Sequence, residues 1–224
     1  MDKKKANARR TKLWKRVLFL LPLLLLLPLA GNLAASVALR RYADEIYPGA
    51  TRQSGWLANY NPVSGRYGAV FAVSGESVNL EFDLIDGTIQ DPKRSEAYEA
   101  QTGLSDKLRM LNARNAGNWI GLYHCVHLSD FGTLKSTLHV DLLESADTPL
   151  PSQAEMREKL ADRALAAWSE LHPLCEIERV RAGYSHETVN CKKNKNEWNI
   201  LIISLPGGRE LNREDFQTGK IKIR

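Results

Sequence analysis

The chain has 224 residues, 43% of them hydrophobic, which suffices for one globular domain or two small ones. Its net charge of +5 comes from the first 16 residues, where eight Lys and Arg face one acidic residue; the rest holds 23 basic against 25 acidic groups. A nucleic-acid footprint must lie on the domain that binds, so the folded part is excluded as one.

The basic tail, residues 1–16, runs into Val17–Ala30, 14 residues with nine leucines and no polar group. At 1.5 Å per residue this run covers only ~21 Å of a ~30 Å hydrocarbon core. Extension through Gly31 to Leu39 gives 23 residues and roughly 34 Å, so the expected transmembrane helix is 17–39, with Arg40 and Arg41 at the far interface. Pro22 and Pro28 predict kinks in it. The basic flank puts the N-terminus in the cytoplasm, with Trp14 as interfacial anchor and the bulk of the chain outside. The expected location is therefore the cell membrane, single-pass, with the lipid bilayer as partner through 17–39 and anionic inner-leaflet lipids as partners of the tail. The rival is a cleaved signal peptide, because Ala34-Ala-Ser36 and Ser36-Val-Ala38 both place small residues where a peptidase needs them.

Beyond Leu33 the helical pattern continues as a stalk to Ile46 and stops at Tyr47-Pro-Gly49. Strands follow at Trp56–Asn61, Arg66–Ser74 and Val78–Ile85, an antiparallel meander whose third member sets Val78, Leu80, Phe82 and Leu84 on one face. Thr88–Gln90 adds a short strand after the Asp86-Gly87 turn. Asp91-Pro92 opens a helix that runs toward Asn115–Gly117 and that Gly103 divides.

The second part predicts strands at Trp119–Leu128 and Leu134–Leu143, then a helix announced by the Ser152/Glu155 capping box. That helix carries Met156, Leu160, Ala164, Trp168 and Leu171 on one stripe and ends before Pro173. Further strands are expected at Glu176–Tyr184, Trp198–Ser204 and Lys220–Arg224, with a short helix at Asn212–Gln217. Ile200–Ile203 reads as central and the lysine-bearing last strand as an edge. The fold class expected is α+β: a transmembrane helix continuing into a stalk, then an antiparallel meander packed with helices, in two extracytoplasmic subdomains at 40–116 and 117–224.

Tyr42-Ala-Asp-Glu-Ile-Tyr-Pro-Gly49, Gly65-Arg-Tyr-Gly-Ala-Val-Phe-Ala-Val73 and Asp86-Gly-Thr-Ile-Gln-Asp91, placed after a basic tail and one span, are similar to the YfjL-like family of small bacterial membrane-anchored proteins. The resemblance covers mainly residues 33–91. It implies membrane attachment and an extracytoplasmic α+β domain, and it brings no catalytic residues with it.

Candidate chemistry is sparse. Glu81 and Asp83 lie two apart on one strand face, ~7 Å along the chain, where a cation would fit; the plainer reading is a solvated face. Cys125 and His127 offer two zinc ligands where three or four are needed, and His186 and Cys191 would have to complete the set. His139 and Asp141, with Thr137 on the same face, suit a base held by a carboxylate, without a nucleophile beside them. Cys175 and Cys191 bracket a hairpin, and a bridge would close about 15 residues for ~3 kcal/mol, leaving Cys125 unpaired. Lys192, Lys193 and Lys195 form a charged loop able to meet phosphate-rich polymers or headgroups. Trp56, Trp119, Trp168 and Trp198 either line a ligand groove or fill a core. No catalytic, cofactor-binding or metal site is assigned, and no cofactor.

The functional expectation is a non-catalytic binding or regulatory module for an envelope protein or polymer. The alternatives are an envelope hydrolase using His139 and Asp141, or a cation at Glu81 and Asp83, and a binding module secreted after signal cleavage.

Overall fold

The computed structural model describes residues 29–114, 118–145, 147–190, 195–219 and 221–223, an α+β structure with mostly antiparallel strand pairing. The chain divides into two compact units, one running to Pro92 and including His127–Phe131, the other comprising Lys93–Val126 and Gly132–Arg224. The helical stretch after Asp91 thus belongs to the second unit, whereas the sequence reading set the boundary near residue 116.

The first unit is built on helix α1, residues 29–46, which stops at Tyr47-Pro-Gly49 as expected, with Gly49 at φ 84°. Its inner face follows helical spacing: Gly31, Ala35, Leu39, Tyr42 and Ala43 are buried. Small residues here let the helix lie close to its neighbours, and a Cβ on Gly31 would meet the Tyr67 hydroxyl at 2.3 Å. At the other end Tyr42 packs edge-on against Phe131, ring centroids 5.1 Å apart. Tyr42 also donates its hydroxyl to the buried Asp91 carboxylate, which accepts from Tyr47 as well. Mid-helix, Ser36 Oγ accepts the Ala58 N–H at 2.6 Å while donating to the Asn32 carbonyl.

Against α1 stand β1 (Thr51–Arg52), β2 (Asn59–Asn61), β3 (Arg66–Val73), β4 (Glu76–Asp83) and β5 (Thr88–Gln90), all antiparallel, with β3 pairing β1, β2 and β4, and β4 pairing β5. Opposed pairs Ala69↔Leu80 and Phe71↔Val78 put buried side chains on one face. Ser74 and Gly75, both at positive φ, close the β3–β4 hairpin in two residues.

Two expectations change in this unit. The strand expected at Trp56–Asn61 shrinks to β2, because Arg52 donates to the Trp56 carbonyl and Ser54 Oγ accepts from Val70, tying the segment before it into an irregular path. The strand expected to reach Ile85 ends at Asp83, whose carboxylate accepts the N–H groups of Ile85 and Asp86 and starts the turn early. Leu84 and Ile85 are therefore exposed, Ile85 at 95%.

Residues 1–28, including most of the predicted span, lie outside the described residues, and no helix among those described is long and apolar enough to cross a membrane. The stretch Gly31–Leu39, expected to complete the span and lead into a stalk, has one face inside the first unit.

The second unit takes in α2 (Pro92–Thr102) from Lys93 onward and α3 (Leu104–Arg114), divided at Gly103, φ 72°, where the sequence placed the break. Strands β6 (Asn118–His127) and β7 (Asp130–Glu144) are neighbours. Helix α4 (Gln153–Leu171) then crosses over so that β8 (Ile177–Asn190) runs parallel to β7, a departure from the all-antiparallel expectation. β9 (Lys195–Pro206) pairs antiparallel with β8, and β10 (Ile221–Ile223) follows it at the end of the strand order. Helix α5 (Arg213–Thr218) is capped by Asn212 and Asp215.

The capping box at Ser152 and Glu155 forms as predicted, and Met156, Leu160, Ala164 and Leu171 are buried. They join Leu104, Leu111, Leu138, Val140, Val180, Ala182 and Ile203 in one core, with Trp168 at its margin. Residues of β7 at even positions from Ser136 to Leu142 face this core; the odd positions form the opposite, open face.

Ser36→Ala leaves the buried Ala58 N–H without an acceptor at an otherwise well-packed position. It is expected to lower the stability of the first unit by about 1–3 kcal/mol, read as a shift of the denaturant midpoint at unchanged slope.

Candidate functional site

Two polar constellations stand out in the second unit, one on each face of its sheet. On the open face, alternation along β6 and β7 projects Trp119, Tyr123 and Cys125 beside Thr137, His139 and Asp141. The His139 ring lies 4.5 Å from the Tyr123 ring and 6.4 Å from that of Trp119, and the two aromatics are themselves 5.9 Å apart. Both Trp119 and Tyr123 are 44% exposed, a large apolar contribution to a surface whose helices lie on the other side. Two glycines clear the ground for this arrangement. A Cβ on Gly121 would lie 2.4 Å from the Trp119 indole, and one on Gly183 would lie 2.4 Å from Asp141 Oδ1. Crowding against the sheet raises the Asp141 carboxyl above its ordinary range, and Arg181 on β8 pulls it partly back.

The His139–Asp141 candidate thus sits on an aromatic platform. The sequence offered these two residues as catalytic candidates and Trp119 as an undecided groove or core residue; β-alternation joins them, with Tyr123, in one exposed cluster.

On the buried face lies a chain that the sequence reading did not find. His124 Nε2 is 3.1 Å from Glu99 Oε1, and Nδ1 is 2.8 Å from Ser136 Oγ. Because a carboxylate can only accept, Nε2 carries the proton and Nδ1 accepts from the serine hydroxyl. Glu99 is further held by the Ser105 hydroxyl, and the Tyr98 ring meets His124 edge-on at 5.4 Å. Next to this chain, the Cys175 thiol donates to the Leu171 carbonyl at 3.6 Å. The order serine, histidine, carboxylate matches that of acyl-transfer enzymes. Here, however, Ser136 is fully buried, and the nearby cleft of about 700 Å³ is lined by Tyr98, Trp168, His172, Cys175, Glu176 and Arg209 without it. Burial also raises the Cys175 thiol, which suits an inert core cysteine. The signal for this chain was present: His124 and Ser136 occupy core-facing parity among Ile120, Val126, Leu138 and Val140.

The remaining candidates are not brought together. Asp83 serves the β4–β5 turn and faces Arg66 at 3.8 Å, so it is partly neutralised beside Glu81. His186 is buried, with Nε2 donating to the Thr148 carbonyl at 3.0 Å. Among the described residues no three of His, Cys, Asp and Glu gather as a metal site, and Cys125 and His127 remain partly exposed on β6. Cys175 is a free thiol; β8 carries the chain away from it for 14 residues, about 45 Å of strand, before Cys191, which lies outside the described residues. That length removes the bracketed-hairpin geometry on which the pairing expectation rested. Lys192 and Lys193 also lie outside, and Lys195 begins β9. Trp168 stacks on His172, Trp56 is 76% exposed, and the Trp198 side chain is outside what is described.

No family model, no curated protein and no solved structure matches this chain.

Burial holds the His124 imidazole below its ordinary value of 6.5, against the pull of Glu99. A base depressed in the folded state binds protons more readily when unfolded, so its stabilising contribution is complete above pH 6.5 and is lost as pH falls below it. Glu144 and Asp215 are lowered from 4.5 and 3.8, so their losses come at still lower pH, and Asp141, raised, acts with opposite sign. The thermal midpoint of the protein is expected to fall between about pH 7.5 and about pH 5.5, and to fall less in His124→Gln.

Proposed function

We propose that this protein is a single-pass membrane protein, N-terminus in the cytoplasm, whose α+β units stand on the outer side and whose second unit binds an envelope component on its open sheet face, without turnover. The observation that carries the binding reading is the exposed cluster of Trp119, Tyr123 and His139 over two glycines, flanked by Asp141 and Arg181. Rigid aromatics contribute large contact area at low entropic cost, and the flanking charges fix orientation.

Membrane attachment draws support from the leucine run with its basic flank and from the resemblance of residues 33–91 to the YfjL-like family. A further support is the packing of α1. Cleavage after Ser36 or Ala38 would remove a segment whose Ala35 is fully buried and whose Ser36 satisfies the Ala58 N–H. Retention of the segment keeps the first unit intact, which favours an anchor over a secreted module. In the same reading the basic tail lies on anionic inner-leaflet lipids.

The hydrolase alternative gains little from His139, whose ring is engaged by two aromatics, and little from His124, whose serine partner is enclosed.

A photoreactive residue in place of Tyr123, in the full chain in living cells, is expected to yield a discrete adduct that Trp119→Ala weakens. The same probe at Glu158, on the exposed side of α4, is expected to yield none. Equal labelling from both positions would count against the open face as the binding surface.

A further inference from the structure

One end of the first unit exposes an apolar helix face and two apolar turn tips, set among Asn61, Arg66, Asp83 and Asp86. The outward face of α1 carries Leu29, Leu33 and Val37 at four-residue spacing, 48%, 51% and 63% exposed, and turns charged at Arg40 and Asp44, which form an ion pair. Trp56 lines the same hollow as Leu33 and Val37. The first turn of α1 is level with the start of β3, because Gly31 abuts Tyr67. β2 pairs Tyr60 with Tyr67 and Asn61 with Arg66, so the β2–β3 turn projects beyond this level and bears Val63, 95% exposed. β4 pairs Phe82 with Tyr67, so the β4–β5 turn projects at the same end and bears Ile85, also 95% exposed. Both turns are held from within: Asn61 accepts the Val63 N–H, and Asp83 accepts those of Ile85 and Asp86. The opposite end of the unit, around Ser74 and Pro48, is where α1 terminates.

The sequence supplies the occupant. The apolar run Val17–Ala30 enters the first unit at this end and, at ~21 Å, is too short to cross the hydrocarbon core. Counting the outward stripe to Val37 gives 21 residues and ~31 Å, which matches the core thickness. The change from valine to arginine along one helix face then falls at the lipid–water boundary, where Trp56 is suited to the headgroup level.

We propose that this end of the first unit is seated in the outer leaflet of the bilayer, with Leu29, Leu33 and Val37 against lipid, with Trp56 at the headgroup level, and with the turn tips Val63 and Ile85 below it among the acyl chains. The inference rests on the membrane attachment proposed above. It makes the domain a partly immersed body in place of one held clear of the surface by a stalk. The helix that crosses the membrane is the same helix that organises the first unit, so the orientation of that unit to the bilayer is fixed by its own packing.

The test uses the full chain reconstituted in vesicles of phosphatidylcholine with a minority of phosphatidylglycerol, carrying an environment-sensitive fluorophore on Val63→Cys, Ile85→Cys or, as control, Ser74→Cys. Signal from the native cysteines is measured in the parent chain and subtracted. Fluorophores at 63 and 85 are expected to emit to the blue of that at 74 and to be quenched several-fold more by a nitroxide carried on the lipid chains. Release of the protein by alkaline carbonate would overturn the attachment itself. Retention with 63 and 85 as water-exposed as 74 would overturn the seating alone, and so would shielding from water without lipid-borne quenching, the behaviour of a protein interface.

Discussion

The burial of one face of α1 is the constraint on which the first unit depends. Gly31, Ala35, Leu39 and Tyr42 give it a narrow inner surface of small residues that ends in an aromatic. That surface ties three otherwise separate pieces together: β3 through Tyr67, the irregular segment before β2 through Ser36, and the end of β5 through Asp91, the residue after it. A helix with this role cannot be discarded after targeting without opening the unit, and it cannot lie wholly within lipid. In the proposed arrangement these two facts converge on an anchor whose final turns are shared between protein and bilayer.

The second unit solves a different problem. All its helices gather on one face of the sheet, where they bury Leu138, Val140, Val180, Ala182 and Ile203. Within that core the Glu99–His124–Ser136 chain satisfies buried polar groups from both sides of the imidazole, which rigidifies the helix–sheet junction. The open face has no such obligation. There Trp119, Tyr123 and His139 crowd together on neighbouring strands, and glycines at 121 and 183 occur where side chains lean across. A structural role accounts for the buried chain; in the proposed reading the exposed aromatics meet another molecule.

Much of the fold could be read from local pattern. The capping box of α4, the break at Gly103, the alternation in β4 and the apolar centre of β9 each express a short-range rule, and each appears where the residues required it. What failed was set by particular side-chain bonds and strand pairings that periodicity does not reveal. The end of β4 moved because Asp83 bonds the turn, β2 shortened because Arg52 reaches Trp56, and β8 outran its expected end because pairing with β9 extends to Asn190. The candidate site was legible only in fragments. His139, Asp141 and Trp119 were each noticed, but their meeting needs the β6–β7 register, and the inward pair His124 and Ser136 looked unremarkable until the core side of those strands was known. The packing of Gly31–Leu39 into the first unit was hidden for a similar reason, since small apolar residues suit a bilayer and a tight protein interface equally.

The central claim is that α1 remains joined to the leucine run in the mature protein. Intact-mass measurement of the protein recovered from cell membranes decides it most directly. The account predicts a chain that retains residues 17–39 and is found in the membrane fraction; a mature chain beginning at Val37 or Leu39 and recovered from the medium would contradict it.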